Sequence, residues 1–230
     1  MAEHLRIDRL GHRGDGIADL PGGPVYVPFT LPGETVSVAR EAERGRLIEL
    51  LEPSPARVDS ICPHFGECGG CSVQHLNPRS YLAWKQELVR TALAQRGLDM
   101  AVDEPVRVPL RSRRRAVFAA RRTKRGILLG YHARQSHRIV PVSTCPVVVP
   151  GIERALPALA GWLAPVIPLK GEVRIAVTET MGGLDIALEG PAARPPAVLA
   201  ELAATQPRGI ALARLSIAGE PILMPGEPAI

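Results

Sequence analysis

Residues 62–76 read Cys62-Pro63-His64-Phe65-Gly66-Glu67-Cys68-Gly69-Gly70-Cys71-Ser72-Val73-Gln74-His75-Leu76, and this stretch separates two regions of different pattern. Its three cysteines stand at C-x5-C-x2-C, and the chain's fourth, Cys145, follows after a gap of 73 residues. The first residues, Met1-Ala2-Glu3-His4-Leu5-Arg6, contain no apolar run of the secretory kind, which places the chain in the cytoplasm. Thiols stay reduced there, so the pattern points to a metal or to reactive chemistry rather than to disulfides. Zinc ligands usually come as two close pairs, whereas a tight triplet with one remote partner suits a 4Fe-4S cluster, so iron-sulfur is favoured over zinc and over unligated thiols. Gly69 and Gly70 let the backbone fold closely around the sulfurs, and Pro63 and Pro146 each stiffen the position after a ligand.

Upstream, short apolar runs alternate with turn signals. Leu5 to Leu10, Ile17 to Leu20, Val25 to Phe29, Glu34 to Ala39 and Arg46 to Leu51 read as five strands, punctuated by Gly11 to Gly16, Pro21-Gly22-Gly23-Pro24 and Leu31-Pro32-Gly33. That rhythm predicts a small OB-like β-barrel over residues 1–54, closed by the linker Pro53-Ser54-Pro55. Downstream, Asn77 and Pro78 open a helix with apolar spacing through Tyr81, Trp84, Leu88 and Leu93, and Gly97 ends it. A β-hairpin follows, Ala116 to Arg121 and Ile127 to His132 around Lys124-Arg125-Gly126. A helix from Gly151 to Leu163 carries Pro157 inside it as a candidate kink. Val173 to Thr178 and Leu184 to Leu188 read as a second hairpin, Pro195 to Ala204 as a short helix and Ile210 to Ile217 as a strand. The fold class is therefore α+β: the small barrel, then a mixed α+β domain over residues 55–230 built on an antiparallel sheet. Pro221 to Met224 resembles a strand lacking its continuation, so the chain looks interrupted at Gly226 to Ile230.

Charge sharpens the functional reading. Lys and Arg number 28 against 23 Asp and Glu, but nine of the basic residues fall between Arg107 and Arg125 with no acid among them. A polyanion is the natural partner of such a stretch, and its Arg bias favours nucleic acid, because the guanidinium fork binds phosphate bidentately and stacks on bases. Arg111, Arg113 and Arg115 alternate and so are expected to share one strand face, with Arg121 and Lys124 extending the nucleic-acid surface. His132, Arg134, His137 and Arg138 enlarge it, whereas Phe118, Trp84 and Trp162 read as core. The 46% hydrophobic content excludes a disordered tail. The 22 Gly and 23 Pro exclude a coiled coil, and the longest apolar runs are far too short to span a bilayer.

The cysteine string, followed by Tyr81 and Lys85 on a helix, resembles the iron-sulfur motif of the S-adenosylmethionine-dependent uracil-C5 RNA methyltransferases. Cys145 before Pro146 resembles that family's distant fourth ligand. Gly11 to Gly16, Val25-Tyr26-Val27-Pro28 and Pro32-Gly33-Glu34 resemble the TRAM domain that often precedes it. The resemblance implies a 4Fe-4S cluster on Cys62, Cys68, Cys71 and Cys145, a ribosomal or transfer RNA partner, and methylation of a uridine with S-adenosylmethionine as donor. In that family a cysteine adds to C6 of the uracil so that C5 becomes nucleophilic, and a carboxylate removes the C5 proton. The family's Rossmann-like catalytic domain, about 200 residues more, has no counterpart here. No cysteine remains for catalysis once four are ligands. The chain then reads as the RNA-gripping half, with its methyltransferase domain supplied C-terminally or by another chain. Alternatives are a non-catalytic RNA-binding iron-sulfur protein, a tRNA-modifying radical enzyme, disfavoured by the cysteine spacing, and a structural zinc protein.

Overall fold

The computed structural model describes residues 2–190 and 195–229, and it divides into two compact units. Unit 1 comprises residues 1–66 and 71–107; unit 2 comprises residues 67–70 and 108–230. Ile230, the last residue of the stretch expected to look interrupted, lies outside the described residues.

Unit 1 opens with six strands: β1 (Ala2–Arg6), β2 (Arg9–Leu10), β3 (Asp15–Leu20), β4 (Gly23–Pro28), β5 (Thr35–Glu41) and β6 (Arg44–Glu52). They form one curled sheet in the order β1-β5-β6-β4-β3-β2. The first expected strand is here two, and the break at Ile7 and Asp8 has a purpose. Ile7 N–H donates to the Glu34 carbonyl at 2.8 Å, whereas Asp8 N–H donates to the Ile17 carbonyl at 2.8 Å. One interrupted strand thus pairs first with β5 and then with β3, supplying both edges of the sheet and leaving little unpaired backbone. Period-2 alternation turns Leu5, Ile7, Val25, Val27, Val36 and Val38 inward, all buried.

A buried ion pair ties the loop after β4 to the segment after β6. Glu34 is fully buried, and its carboxylate accepts from Arg57 Nε at 2.5 Å, Arg57 Nη2 at 2.9 Å, Leu31 N–H at 2.8 Å and Ser54 N–H at 3.3 Å. Burial pushes this carboxyl up, but the hydrogen bonds from Arg57 and Leu31 together with the Arg57 charge outweigh it and hold its pKa below the ordinary value. Arg57 also donates to the Phe29 carbonyl at 2.9 Å, where Phe29 sits at a φ of 63°. Beside this pair His75 is 2% exposed and packs against the Phe65 ring at 5.3 Å. Burial and the Arg57 charge push its pKa down to about 4, so the ring is neutral at physiological pH.

The helix α1 (Pro78–Ala94) begins as expected, with Asn77 Oδ1 accepting from Ser80 N–H at 2.9 Å and proline in the first turn. It ends near Gly97, whose φ is 72°. Its apolar spacing does not produce a buried face: no residue of α1 is buried, so the expectation that Trp84 is core is corrected to a half-buried position.

Unit 2 is a seven-stranded sheet ordered β13-β12-β11-β10-β7-β8-β9. Its strands are β7 (Arg115–Thr123), β8 (Gly126–His132), β9 (Ile139–Pro141), β10 (Val173–Thr180), β11 (Gly183–Glu189), β12 (Leu212–Ile217) and β13 (Glu220–Leu223). The two expected hairpins are present, closed at Thr123↔Gly126 and at Thr180↔Gly183. The expectation of an antiparallel sheet is corrected at one pair. β11 and β12 run parallel, joined through the helix α3 (Pro196–Ala204), so the sheet is mixed. The strand expected at residues 221–224 is β13, an edge strand antiparallel to β12.

The core lies on one face of this sheet. Phe118, Val173, Ile175, Val177 and Ile186 meet Ile152, Leu156, Leu159 and Trp162 of the helix α2 (Pro150–Trp162), which runs through Pro157, and Leu202 of α3. Trp162 is core as expected, its Nε1 donating to the Leu202 carbonyl at 2.9 Å. Among the described residues no helix is long and apolar enough to cross a membrane.

Candidate nucleic-acid interface and cysteine positions

The structure places two of the four cysteines in each unit, and none forms a disulfide. In unit 1, Cys62 and Cys71 are half-buried, and the Cys62 carbonyl accepts from Phe65 N–H at 3.1 Å in a tight turn. In unit 2, Cys68 is buried against Tyr131, Ala133 and Val140, pairs with Ala133 through a single β-bridge, and its Sγ accepts from Gly70 N–H at 3.4 Å. Cys145 is half-buried beside the unit 2 core, its N–H donating to Glu153 Oε1 at 3.1 Å. The donor set, four thiols of which one already receives an N–H bond, fits the chemistry of an iron-sulfur cluster. Their positions do not add to that fit: among the described residues no three His, Cys, Asp or Glu side chains are grouped to hold a metal ion.

The basic stretch resolves into residues with different tasks. The expectation that Arg111, Arg113 and Arg115 share a strand face is corrected, because β7 begins only at Arg115. Arg111 stands at a φ of 56° and its Nη1 bonds Glu153 Oε2 at 2.5 Å, which ties it to the first turn of α2. Hydrogen bonds to Glu153 from Thr144, then from Cys145 N–H and Arg111, hold that carboxyl below its ordinary pKa. Arg113 is exposed and bridges Val148 through its backbone, outside any strand. Arg115 is exposed at the start of β7, and Lys124 is exposed at the β7–β8 turn. Arg121 is exposed and divides its donors between the His137 carbonyl at 3.1 Å and Glu172 Oε2 at 3.3 Å. Arg122, one residue on, points the other way. It is half-buried and donates to the carbonyls of Ala164 and Ile167, at the end of the short 3-10 helix that follows α2. A cation there gives a partner to the Ile167 carbonyl just past the helix end and a second one to Ala164, which already accepts from Ile167 N–H.

A cavity of about 260 Å³ lies in unit 2, lined by Gly69, Gly70, Val117, Phe118, Ala119, Tyr131, His132, Glu172 and Arg174. In the sequence Glu172, with Glu179 and Asp185, forms no spacing that suggests paired-carboxylate catalysis, and Arg174 carries no signal. Glu172 and Arg174 are more than 100 residues from Gly69 along the chain, and only the pairing of β10 with β7 brings them together. Glu172 Oε1 lies 2.8 Å from His132 Nε2. Burial pushes the Glu172 carboxyl up, and the bonds from His132 and Arg121 more than reverse that, so its pKa lies below the ordinary value.

No protein-family model matches the chain. Over 233 residues it is 44% identical to a protein of Brucella suis biovar 1 (strain 1330) named as an uncharacterized RNA methyltransferase, an overlap of 98% of this chain and 54% of that protein. A protein of Caulobacter vibrioides with the same kind of name is 37% identical over 235 residues, 99% of this chain and 57% of that one. At lower coverage, the 23S rRNA (uracil(1939)-C(5))-methyltransferase of Vibrio parahaemolyticus serotype O3:K6 is 39% identical over 165 residues, 67% of this chain and 37% of that enzyme. The chain therefore spans a little over half the length of the RNA methyltransferases to which almost all of it is similar.

Proposed function

We propose that this chain is the RNA-gripping portion of an S-adenosylmethionine-dependent RNA methyltransferase that modifies C5 of a uridine, with ribosomal RNA as its substrate in the cytoplasm. The observation that carries this reading is the similarity of 98% of the chain to proteins named RNA methyltransferases. The narrower substrate rests on the name of the Vibrio enzyme. In this reading unit 1 begins with a TRAM-like OB barrel that binds RNA, and unit 2 adds the exposed cations Arg113, Arg115, Arg121 and Lys124 as phosphate contacts. Arg111 and Arg121 contribute less, because their charges are already matched by Glu153 and Glu172. Cys62, Cys68, Cys71 and Cys145 hold a 4Fe-4S cluster whose service is to brace the polypeptide, since metal binding couples to folding. With those thiols as ligands, the nucleophilic cysteine and the donor site belong to a methyltransferase domain joined C-terminally or supplied by a partner chain.

Two measurements test this. Anaerobic purification with iron and sulfide analysis is expected to give about four irons per chain and broad absorption near 400 nm, roughly as for cuboidal clusters, lost in Cys68→Ala. Stoichiometric zinc without colour overturns the cluster. A filter-binding salt titration with single-stranded RNA is expected to lose about 1.4 units of log–log slope for Arg113→Gln with Arg115→Gln, two contacts at about 0.7 each. An unchanged slope removes these cations from the RNA surface.

A further inference from the structure

We propose that the cavity beside Gly69 and Gly70 in unit 2 is a subsite for one unpaired guanine base of the RNA. The inference rests on the RNA-binding reading and names a part of the substrate that reading leaves open. The cavity lies on the sheet face opposite the core: Phe118 and Ile175 point toward α2, so Val117, Ala119 and Arg174, one residue out of phase, face away from it. Val117 and Ala119 are small enough to leave a low floor. The segment Glu67–Gly70 runs along the end of β8, held by the Cys68↔Ala133 bridge and by Gly69 N–H donating to the His132 carbonyl at 2.9 Å. A Cβ on Gly69 would lie 2.7 Å from that carbonyl oxygen, so only glycine lets the segment approach so closely. The result is a wall of bare peptide planes at Gly69 and Gly70, whereas the Tyr131 ring lies 4.9 Å from that of Phe118 on the core side.

Such walls suit a flat aromatic ligand, and the volume fixes its size. About 260 Å³ falls just under the roughly 300 Å³ at which pockets for drug-sized ligands begin, enough for one base and too little for a dinucleotide. The rim selects which base. Glu172 is ionised and acceptor-only; His132 Nε2 lies 2.8 Å from Oε1 and Arg121 Nη2 donates to Oε2, which leaves each oxygen a further lone pair. The base edge that presents two adjacent N–H donors to a carboxylate is that of guanine, through N1–H and the N2 amino group. Adenine, cytosine and uracil each place an acceptor beside their donor and meet repulsion there. Single-stranded RNA is commonly read in this way, by stacking and by its Watson–Crick edge. Arg174 lines the rim and is paired with Glu189 at 3.0 Å, and Arg121, bonded to the rim residue Glu172, continues into the basic β7–β8 hairpin.

The test is fluorescence anisotropy of the full chain with fluorescein-labelled heptaadenylates carrying a central guanosine, inosine or adenosine. Inosine keeps N1–H and lacks the N2 amino group. The expected result is that the guanosine RNA binds at least fivefold tighter than the inosine and adenosine RNAs. Glu172→Gln is expected to remove that preference, so that the guanosine, inosine and adenosine RNAs bind the variant within about twofold of one another. Equal binding of all three by the unaltered protein overturns the subsite and leaves the RNA reading standing. No binding of any overturns both. A guanosine preference that survives in Glu172→Gln also overturns the proposal, since the carboxylate is then not the reader.

Discussion

Acidification is expected to unlock unit 1 through His75 before any carboxylate is protonated. The folded ring has a pKa of about 4 against 6.5 for the free side chain, because burial and then the Arg57 guanidinium disfavour its charged form. Above pH 6.5 the ring is neutral in folded and unfolded chains alike, and its full contribution to stability is present. Between pH 6.5 and about 4 the unfolded chain takes up a proton that the folded chain refuses, so stability falls as pH falls. A difference of about 2.5 pKa units at about 1.4 kcal/mol each makes the loss about 3 kcal/mol across that window. Glu34 adds a second loss lower down, because its depressed carboxyl pKa withholds a proton that the unfolded chain accepts below its ordinary value of 4.5. The two tryptophans fall one in each unit, so Trp84 fluorescence in a Trp162→Phe background reports unit 1. Urea unfolding is measured at pH 7.0, 6.0, 5.0 and 4.5 in that background, with and without His75→Phe, which keeps an aromatic ring beside Phe65. Between pH 7.0 and 4.5 the free energy of the His75 protein is expected to fall by about 2.4 kcal/mol more than that of the variant. Parallel slopes in the two proteins would falsify the assignment of a neutral, buried His75.

Three further outcomes follow from particular contacts. Glu34→Gln leaves Arg57 facing a neutral amide, and unit 1 is expected to lose about 3 kcal/mol by the same Trp84 readout, with Arg57→Met added on top costing much less than it does alone. Gly130→Ala places a Cβ 1.8 Å from the backbone oxygen of Val140, so β8 and β9 must separate; unit 2, followed through Trp162 in a Trp84→Phe background, is expected to lose about 3 kcal/mol. Arg122→Ala is expected to cost unit 2 about 2 kcal/mol, for hydrogen bonds from a charged donor to the Ala164 and Ile167 carbonyls, while leaving the salt dependence of RNA binding unchanged. Lys124→Ala is expected to do the reverse, and the same behaviour in both variants would undo the distinction.

What could be read in the sequence was local. Turns carry their own signals, so Pro21-Gly22, Lys124-Arg125 and Met181-Gly182 mark strand reversals in the chain and in the fold alike. The α1 N-terminus was equally plain, because Asn77 and Pro78 act on their immediate neighbours. Strand direction was not legible: Leu184 to Leu188 and Leu212 to Ile217 are apolar runs, and nothing in such a run tells a parallel partner from an antiparallel one. The break at Ile7 and Asp8 was hidden for a similar reason, since Leu5 to Leu10 keeps its alternation while its hydrogen-bond partners change. The spacing of Tyr81, Trp84, Leu88 and Leu93 predicted a helix correctly and its burial incorrectly, because periodicity reports which side chains share a face and not what covers them.

The basic stretch shows why composition alone overstates a binding surface. Nine cations between Arg107 and Arg125 look alike in one dimension, and the strand period appears to sort them by parity. In three dimensions the sorting follows the carboxylates and carbonyls that the fold delivers from elsewhere: Glu153 on α2 neutralises Arg111, and the end of the helix after α2 takes Arg122. Glu172, next to β10, meets Arg121 and His132. A cation whose charge is spent inside the protein gains little from a phosphate, since the approaching anion must displace or share an existing partner. Arg121 is the informative case, because its partner Glu172 sits on the rim of a cavity with acceptor capacity to spare. There the same residue fixes a carboxylate for base recognition and presents positive charge to the backbone around that base. Affinity from the exposed cations and selectivity from the cavity are thereby assigned to different side chains, and substitution can separate them.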